Sequence, residues 1–183
     1  MEINVSQQLK AQIGYVREYD VEDYIDILGI GVDIKVEGKV KLTKTNRGLL
    51  VQGTLRSKIP VECSRCLKVF EFPLIINLEE EYFPVIDVNS GTPLETPDEI
   101  GIFTIDEHHI LDLNEAIRQN ALLAVPMKPL CRTDCAGLCQ TCGKDLNKGQ
   151  CDCEISEIDP RWAKLVNLAS TGKKVKKHKK EME

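Results

Sequence analysis

Six of the eight cysteines of this 183-residue chain fall in one short polar stretch, "CRTDCAGLCQTCGKDLNKGQCDC" (131–153). The segment 128–153 offers few large apolar side chains beyond Leu130, Leu138 and Leu146. Hydrophobic burial cannot organise it, so the thiols must. The start, "MEINVSQQLK", lacks the basic and apolar run of a signal peptide, and apolar runs such as "ALLAV" (121–125) are too short to cross a bilayer. A cytoplasmic protein with reduced thiols is therefore expected, and metal or redox chemistry explains the cysteines better than disulfides do.

The most specific piece is Cys139–Cys142, a Cys-x-x-Cys pair followed by Gly143, which can take the left-handed turn such a pair tends to need. Cys151 and Cys153 lie downstream, Cys131 and Cys135 upstream. Zinc–sulfur bonds near 2.3 Å put tetrahedral thiolates roughly 3.8 Å apart. Residues two apart on a straight strand are separated by about 6.6 Å at Cα, so "CDC" must bend for both sulfurs to reach one ion. Cys63 and Cys66 form a weaker pair, because Leu67 stands where glycine would be more comfortable. Eight thiols fill two four-thiolate sites, or six make one site with two left over; spacing does not choose the pairings. Structural zinc contributes about 10–16 kcal/mol in small peptides near neutral pH, as much as a whole domain's net stability.

Two other chemistries compete. A thioredoxin-like pair belongs at the start of a helix, whereas "GKDLNKGQ" after Cys142 is turn-like. An iron–sulfur cluster also takes four thiolates and would colour the protein. Burial as ordinary structural cysteines suits only Cys63 and Cys66.

Outside the cysteines the pattern is that of a sheet. In "VDIKVEGKVKL", Val32, Ile34, Val36, Val40 and Leu42 share one face and charged residues the other. "TNRG" (45–48) predicts a hairpin turn, with Asn46 and Gly48 able to take positive φ. "LLVQGTLRSKIPVEC" and "LKVFEFPLIINLEEEYF" read as further strands of a meander, and "IGIFTID" (100–106) as one more. Residues 1–31 show no clean period. A helix is expected over 112–127, capped by Asp112 with Glu115 three residues on, burying Leu113, Ile117, Ala121 and Ala124 and stopped by Pro126. A second is expected over 159–170, with Pro160 in its first turn and Trp162 on its apolar stripe. The fold class predicted is α+β: an antiparallel β-rich platform with two short helices and a cysteine-rich, zinc-ribbon-like module. The expected division is a β-rich part (1–86), a flexible acidic, proline-rich linker (87–99), a helical and cysteine-rich zinc-binding part (100–171) and a basic disordered tail (172–183), forming one composite domain.

The net charge of −5 is uneven. The tail "GKKVKKHKKEME" holds six lysines and two glutamates, +4, which leaves −9 on the remainder. Lys173, Lys174, Lys176, Lys177, Lys179 and Lys180 are candidate nucleic-acid contacts, with Arg65 and Lys68 beside Cys66 as further candidates. The adjacent His108 and His109 point apart on any regular element and read as surface residues. No phosphate-cradling glycine loop and no paired nucleophile and base are visible.

"VECSRCLKVFEFPL", "DLNEAIRQNALLAVPMKPLC", "DCAGLCQTCGKDLN", "CDC" and "DPRWAKLVNL" together resemble the YceD family, large ribosomal RNA subunit accumulation proteins, in its cysteine-rich bacterial branch. The resemblance spans roughly 32–168. It implies a bacterial cytosolic protein needed for normal levels of large-subunit ribosomal RNA, without established enzymatic activity. By carry-over, Cys63 and Cys66 match the family's first pair, and Cys131, Cys135, Cys139, Cys142, Cys151 and Cys153 its second cluster. The reading is a non-catalytic factor in ribosome biogenesis holding one or two zinc ions, with large-subunit RNA or a pre-ribosomal particle as partner. A zinc-dependent hydrolase or nuclease, and an adaptor for a basic ribosomal protein or a processing enzyme, are the alternatives.

Overall fold

The computed structural model describes residues 1–27, 29, 31–95, 97, 101–153, 161 and 165. The chain divides into two compact units, 1–137 and 138–183.

The first unit is built on a five-stranded sheet. Its strands are β2 (Val16–Ile25), β3 (Ile34–Lys44), β4 (Leu49–Glu62), β5 (Val69–Pro84) and β6 (Phe103–Ile105), side by side in that order. β3 to β5 form the expected antiparallel meander, β2, which the sequence reading did not place, pairs with β3 in the same sense, and β6 adds to β5 in parallel. A separate two-stranded sheet pairs β1 (Glu2–Asn4) with β7 (Ile110–Asp112), and a short helix α1 (Ser6–Leu9) follows β1.

Alternation decides which face is buried. Ile34, Val36, Val40 and Leu42 of β3 point inward, as do Leu49, Val51, Leu55 and Ile59 of β4 and Leu74, Ile76 and Leu78 of β5. The same parity carries on past the end of β4 to Cys63, which is fully buried. Val32, expected on this face, is exposed and precedes the strand. The helix α2 (Asn114–Ala124) lies against β5 and buries Ala116, Ile117 and Ala121, with Leu113 just ahead of it.

Three local expectations change. Asp112 caps α2 from one position further out: Leu113 is the N-cap, and the Asp112 carboxylate accepts the Asn114 N–H at 3.0 Å. Glu115 then turns to Arg118 instead of closing a capping box. Ala124 is exposed, because the helix ends there and Val125, held extended ahead of Pro126, leaves the axis. The 45–48 turn forms, but neither Asn46 nor Gly48 takes a positive φ. Glycine is needed at 48 for space, since a Cβ there would meet the Tyr82 carbonyl oxygen at 2.0 Å. Within the stretch read as linker Asp87 N–H donates to Thr92 O, and Leu94 N–H donates back to Val85 O, just past the end of β5. Of the helix expected over 159–170 only residues 161 and 165 are described, and the basic tail lies outside the described residues.

Candidate metal centres

β4 and β5 stay paired to Glu62↔Val69, so the loop closing their hairpin is Cys63–Lys68. Cys63 N–H donates to Lys68 O and Leu67 N–H to Cys63 O, both at 2.9 Å. The first bond continues the ladder; the second folds the chain so that both cysteine side chains face one point. Leu67 completes the turn at φ +58, left-handed space that a β-carbon makes costly by roughly 1–2 kcal/mol.

The segment after α2 brings the other two thiols. Ser64 N–H and Ser64 Oγ–H both donate to Pro129 O, at 2.9 and 3.1 Å. Arg65 Nη1 donates to Cys135 O at 2.8 Å. Cys131 and Cys135 thereby join the hairpin tip: Cys63 Sγ lies 3.9 Å from Cys135 Sγ, and Cys66 Sγ 3.7 Å from Cys131 Sγ. All four sulfurs are within 4.8 Å of one another. These separations match the roughly 3.8 Å expected around a tetrahedral ion with metal–sulfur bonds near 2.3 Å.

The second unit repeats the device. Cys139 N–H donates to Lys144 O and Gly143 N–H to Cys139 O, again both at 2.9 Å, with Gly143 at φ +73. A bridge between Leu138 and Asp145 flanks this turn as Glu62 and Val69 flank the first. Lys144 Nζ reaches Gln150 O at 2.7 Å, tying the returning chain to the turn. The bend that "CDC" requires is present: Cys139, Cys142, Cys151 and Cys153 form the second set of four sulfurs within 4.8 Å.

In both sets the leading cysteine is predisposed to ionise. Backbone N–H groups, foremost that of Cys131, hold the Cys63 thiol down at about 6. Those of Cys142 and Thr141 hold Cys139 at about 6 as well. Burial, with the neighbouring Cys66 thiol, pushes Cys131 up to about 12. The Cys142 thiol and then burial push Cys153 up to about 12. A first thiolate discourages a second beside it, and a divalent cation reverses that preference for all four. The donor sets therefore fit a soft or borderline divalent metal.

The structure thus divides all eight cysteines into two sets of four, a pairing that spacing left open. It assigns Arg65 a local backbone partner, and leaves Lys68 exposed. His108 is exposed beside Glu107, at 3.7 Å. His109 has φ +60 and a buried Nδ1 with no hydrogen-bond partner among the described residues. Neither histidine enters a thiol set. What the sequence reading missed is the repeat of the turn itself, although Cys-x-x-Cys-x-Lys at 63–68 and again at 139–144 was there to find. Among the described residues, no helix is long and apolar enough to cross a membrane.

The family model described as large ribosomal RNA subunit accumulation protein YceD matches residues 51–169, a span that contains every cysteine. An uncharacterized protein of Mycobacterium tuberculosis is 31% identical over 144 residues, covering 79% of this chain and 67% of that protein. A Mycobacterium leprae protein is 30% identical over 142 residues, 76% of this chain and 58% of its own length. The large ribosomal RNA subunit accumulation protein YCED homolog 1, chloroplastic, of Arabidopsis thaliana is 28% identical over 186 residues, 90% of this chain and 56% of its own length. No solved structure matches the chain.

Proposed function

This chain belongs to the YceD family, and from that premise we propose that it is a non-catalytic factor in large-subunit ribosomal RNA accumulation, its local folds held by zinc. Cys63, Cys66, Cys131 and Cys135 hold one ion; Cys139, Cys142, Cys151 and Cys153 hold a second within a zinc-ribbon-like module. The observation that carries the reading is that the family's matched span contains two sets of four cysteine sulfurs, each set within 4.8 Å, close enough to share one ion. Zinc filled by four thiolates has no open position for water or substrate, which suits a structural ion and not a hydrolase or nuclease. The site of action proposed is the cytoplasm. Lys173, Lys174, Lys176, Lys177, Lys179 and Lys180 reach toward RNA, with Arg65 and Lys68 as further contacts on the first unit.

A second reading has one observation in its favour. Outside the tail the chain carries −9, and the exposed face of β2 presents Glu18, Asp20 and Glu22, the last two beside Lys39 and Lys35 of β3. That surface suits a basic ribosomal protein better than a phosphate backbone.

The deciding experiment is a tagged full-length pull-down with RNA and protein both identified, and zinc measured on the same preparation. Two zinc ions per chain and large-subunit RNA or its precursor particle are expected. A metal-free folded protein removes the zinc, and absence of that RNA removes the function. If the tail binds through about six phosphates, log affinity against log salt slopes near −4 to −5. Deleting 172–183 then flattens it, and an unchanged slope moves the weight to a protein partner.

A further inference from the structure

We propose that the cleft between the β3–β4 turn and the chain that follows β5 seats one nucleotide unit, its phosphate on Lys44 and Arg47 and its base and ribose against Phe83, Ile86 and Leu94. The inference rests on the RNA reading above, and gives it a contact site outside the lysine tail.

The cleft encloses about 720 Å³ and lies in the first unit. That is within the roughly 300–1,000 Å³ typical of small-ligand sites. Two cations line it, Lys44 and the exposed Arg47. Lys44 is half-buried, its Nζ making one long hydrogen bond, 3.4 Å, to Gly48 O, with no carboxylate at ion-pair distance among the described residues. Burial lowers its ammonium from the usual lysine value, while Asp87 acts to raise it. An ammonium partly stripped of water and short of partners is stabilised by an incoming anion. Arg47 sits over Phe83, its guanidinium carbon 5.1 Å from the ring centre. A guanidinium held over a ring has N–H donors to spare for a phosphate and can itself pack against a base.

Two acids, Asp87 and Glu95, line the cleft as well, so a bound phosphate must face the two cations and turn away from the acids. Asp87 accepts the N–H groups of Asn89 and Ser90 and the Ser90 hydroxyl, at 3.0, 2.7 and 2.9 Å, and Glu95 is exposed to water. The turn that presents the cations is firm: Thr45 Oγ1 accepts the N–H groups of Arg47 and Gly48 and donates to Glu81. An acidic peptide would satisfy the cations but leave the Arg47–Phe83 face unused, which favours a nucleotide.

The test is a titration of the full chain with adenosine 5′-monophosphate, adenosine and inorganic phosphate, followed through the amide resonances of 44–48 and 83–88, alongside a single-stranded RNA octamer. The monophosphate should move those resonances, and adenosine or phosphate alone should bind at least about tenfold more weakly. Arg47→Ala and Lys44→Gln should each weaken binding by about tenfold, and Lys44→Arg should restore most of it. For the octamer, losing two phosphate contacts should flatten the salt slope by about 1.4. Equal binding of inorganic phosphate, or an octamer affinity and slope unchanged in the Arg47→Ala/Lys44→Gln double variant, overturns the site and leaves the RNA reading standing. Monophosphate seated at 44–48 without octamer binding supports the site, names a free mononucleotide as its source and removes the RNA reading instead.

Discussion

Cys63–Lys68 and Cys139–Lys144 make the same turn in unlike settings. Each is closed by the same two backbone hydrogen bonds at 2.9 Å, and each brings a Cys-x-x-Cys pair to two further thiols. The first sits at the tip of the long β4–β5 hairpin, with Cys63 and Cys135 buried and the sheet's apolar face continuing directly beneath. In the second unit no described residue is buried. One device is thus joined to a buried apolar core, and the other, among the described residues, has nothing beneath it but its ligands. The difference teaches that a metal turn is not in itself a measure of metal dependence; what matters is the apolar area that remains once the ion leaves.

The strongest way to break the comparison is to remove metal from the whole protein with a chelator and follow amide exchange. Protection over 138–153 should vanish, because an ion contributing about 10–16 kcal/mol has no buried apolar substitute among the described residues there. The core amides of β3, β4 and β5 should stay protected. Simultaneous loss in both regions would show that the first unit depends on metal as fully as the second.

Single-site removal comes next. Cys63→Ser should lower bound zinc from two ions to one and cost the first unit on the order of 3–5 kcal/mol without unfolding it. Cys142→Ser should remove the other ion and leave the sheet's melting transition in place. Calorimetry with metal analysis reads both.

Acidification sharpens the parallel. Cys63 and Cys139 are held down at about 6, so above that pH they are already thiolates and surrender no proton to an arriving ion. Cys131 and Cys153, pushed up to about 12, must each release one. Affinity should therefore fall at both sites as pH is lowered. Below about 6 each site should lose an additional tenfold per pH unit, about 1.4 kcal/mol, as its leading thiolate takes up a proton. Zinc titrations between pH 5 and 8 measure it, and equal slopes above and below 6 would contradict the assignment.

The smallest effect exchanges the residue that differs between the turns. Leu67 holds φ +58 with its side chain 57% exposed, where the second turn has Gly143. Leu67→Gly should stabilise the first unit by up to about 1 kcal/mol. Gly143→Leu should cost the second about 1–2 kcal/mol, although a Cβ there meets nothing within 4 Å. No change in either would mean that the surroundings already absorb the strain.

Much of this was legible in the residues. Strict alternation from Ile34 onward reported a sheet with one wet face, and it placed β3, β4 and β5. It failed at β2, where "VREYDVEDYI" buries only Val21 and Ile25 and surrounds them with charge, as an edge strand can. The cysteines announced metal, but not their partition. Cys66 and Cys131 stand 65 residues apart, and only the long hairpin and the path of α2 bring them to 3.7 Å. Leu67 obscured the first turn by breaking the glycine rule that made the second turn easy to see.

The same 65-residue gap sets a schedule for synthesis. At roughly 5–20 residues per second, the later half of the first thiol set leaves the ribosome about 3–13 s after the earlier half, whereas Cys139 to Cys153 emerge within about 1–3 s. A nascent chain therefore exposes a finished hairpin bearing two ready thiols and an unfilled claim on a cation, for long enough that the order of delivery, and what guards those sulfurs meanwhile, is decided during translation.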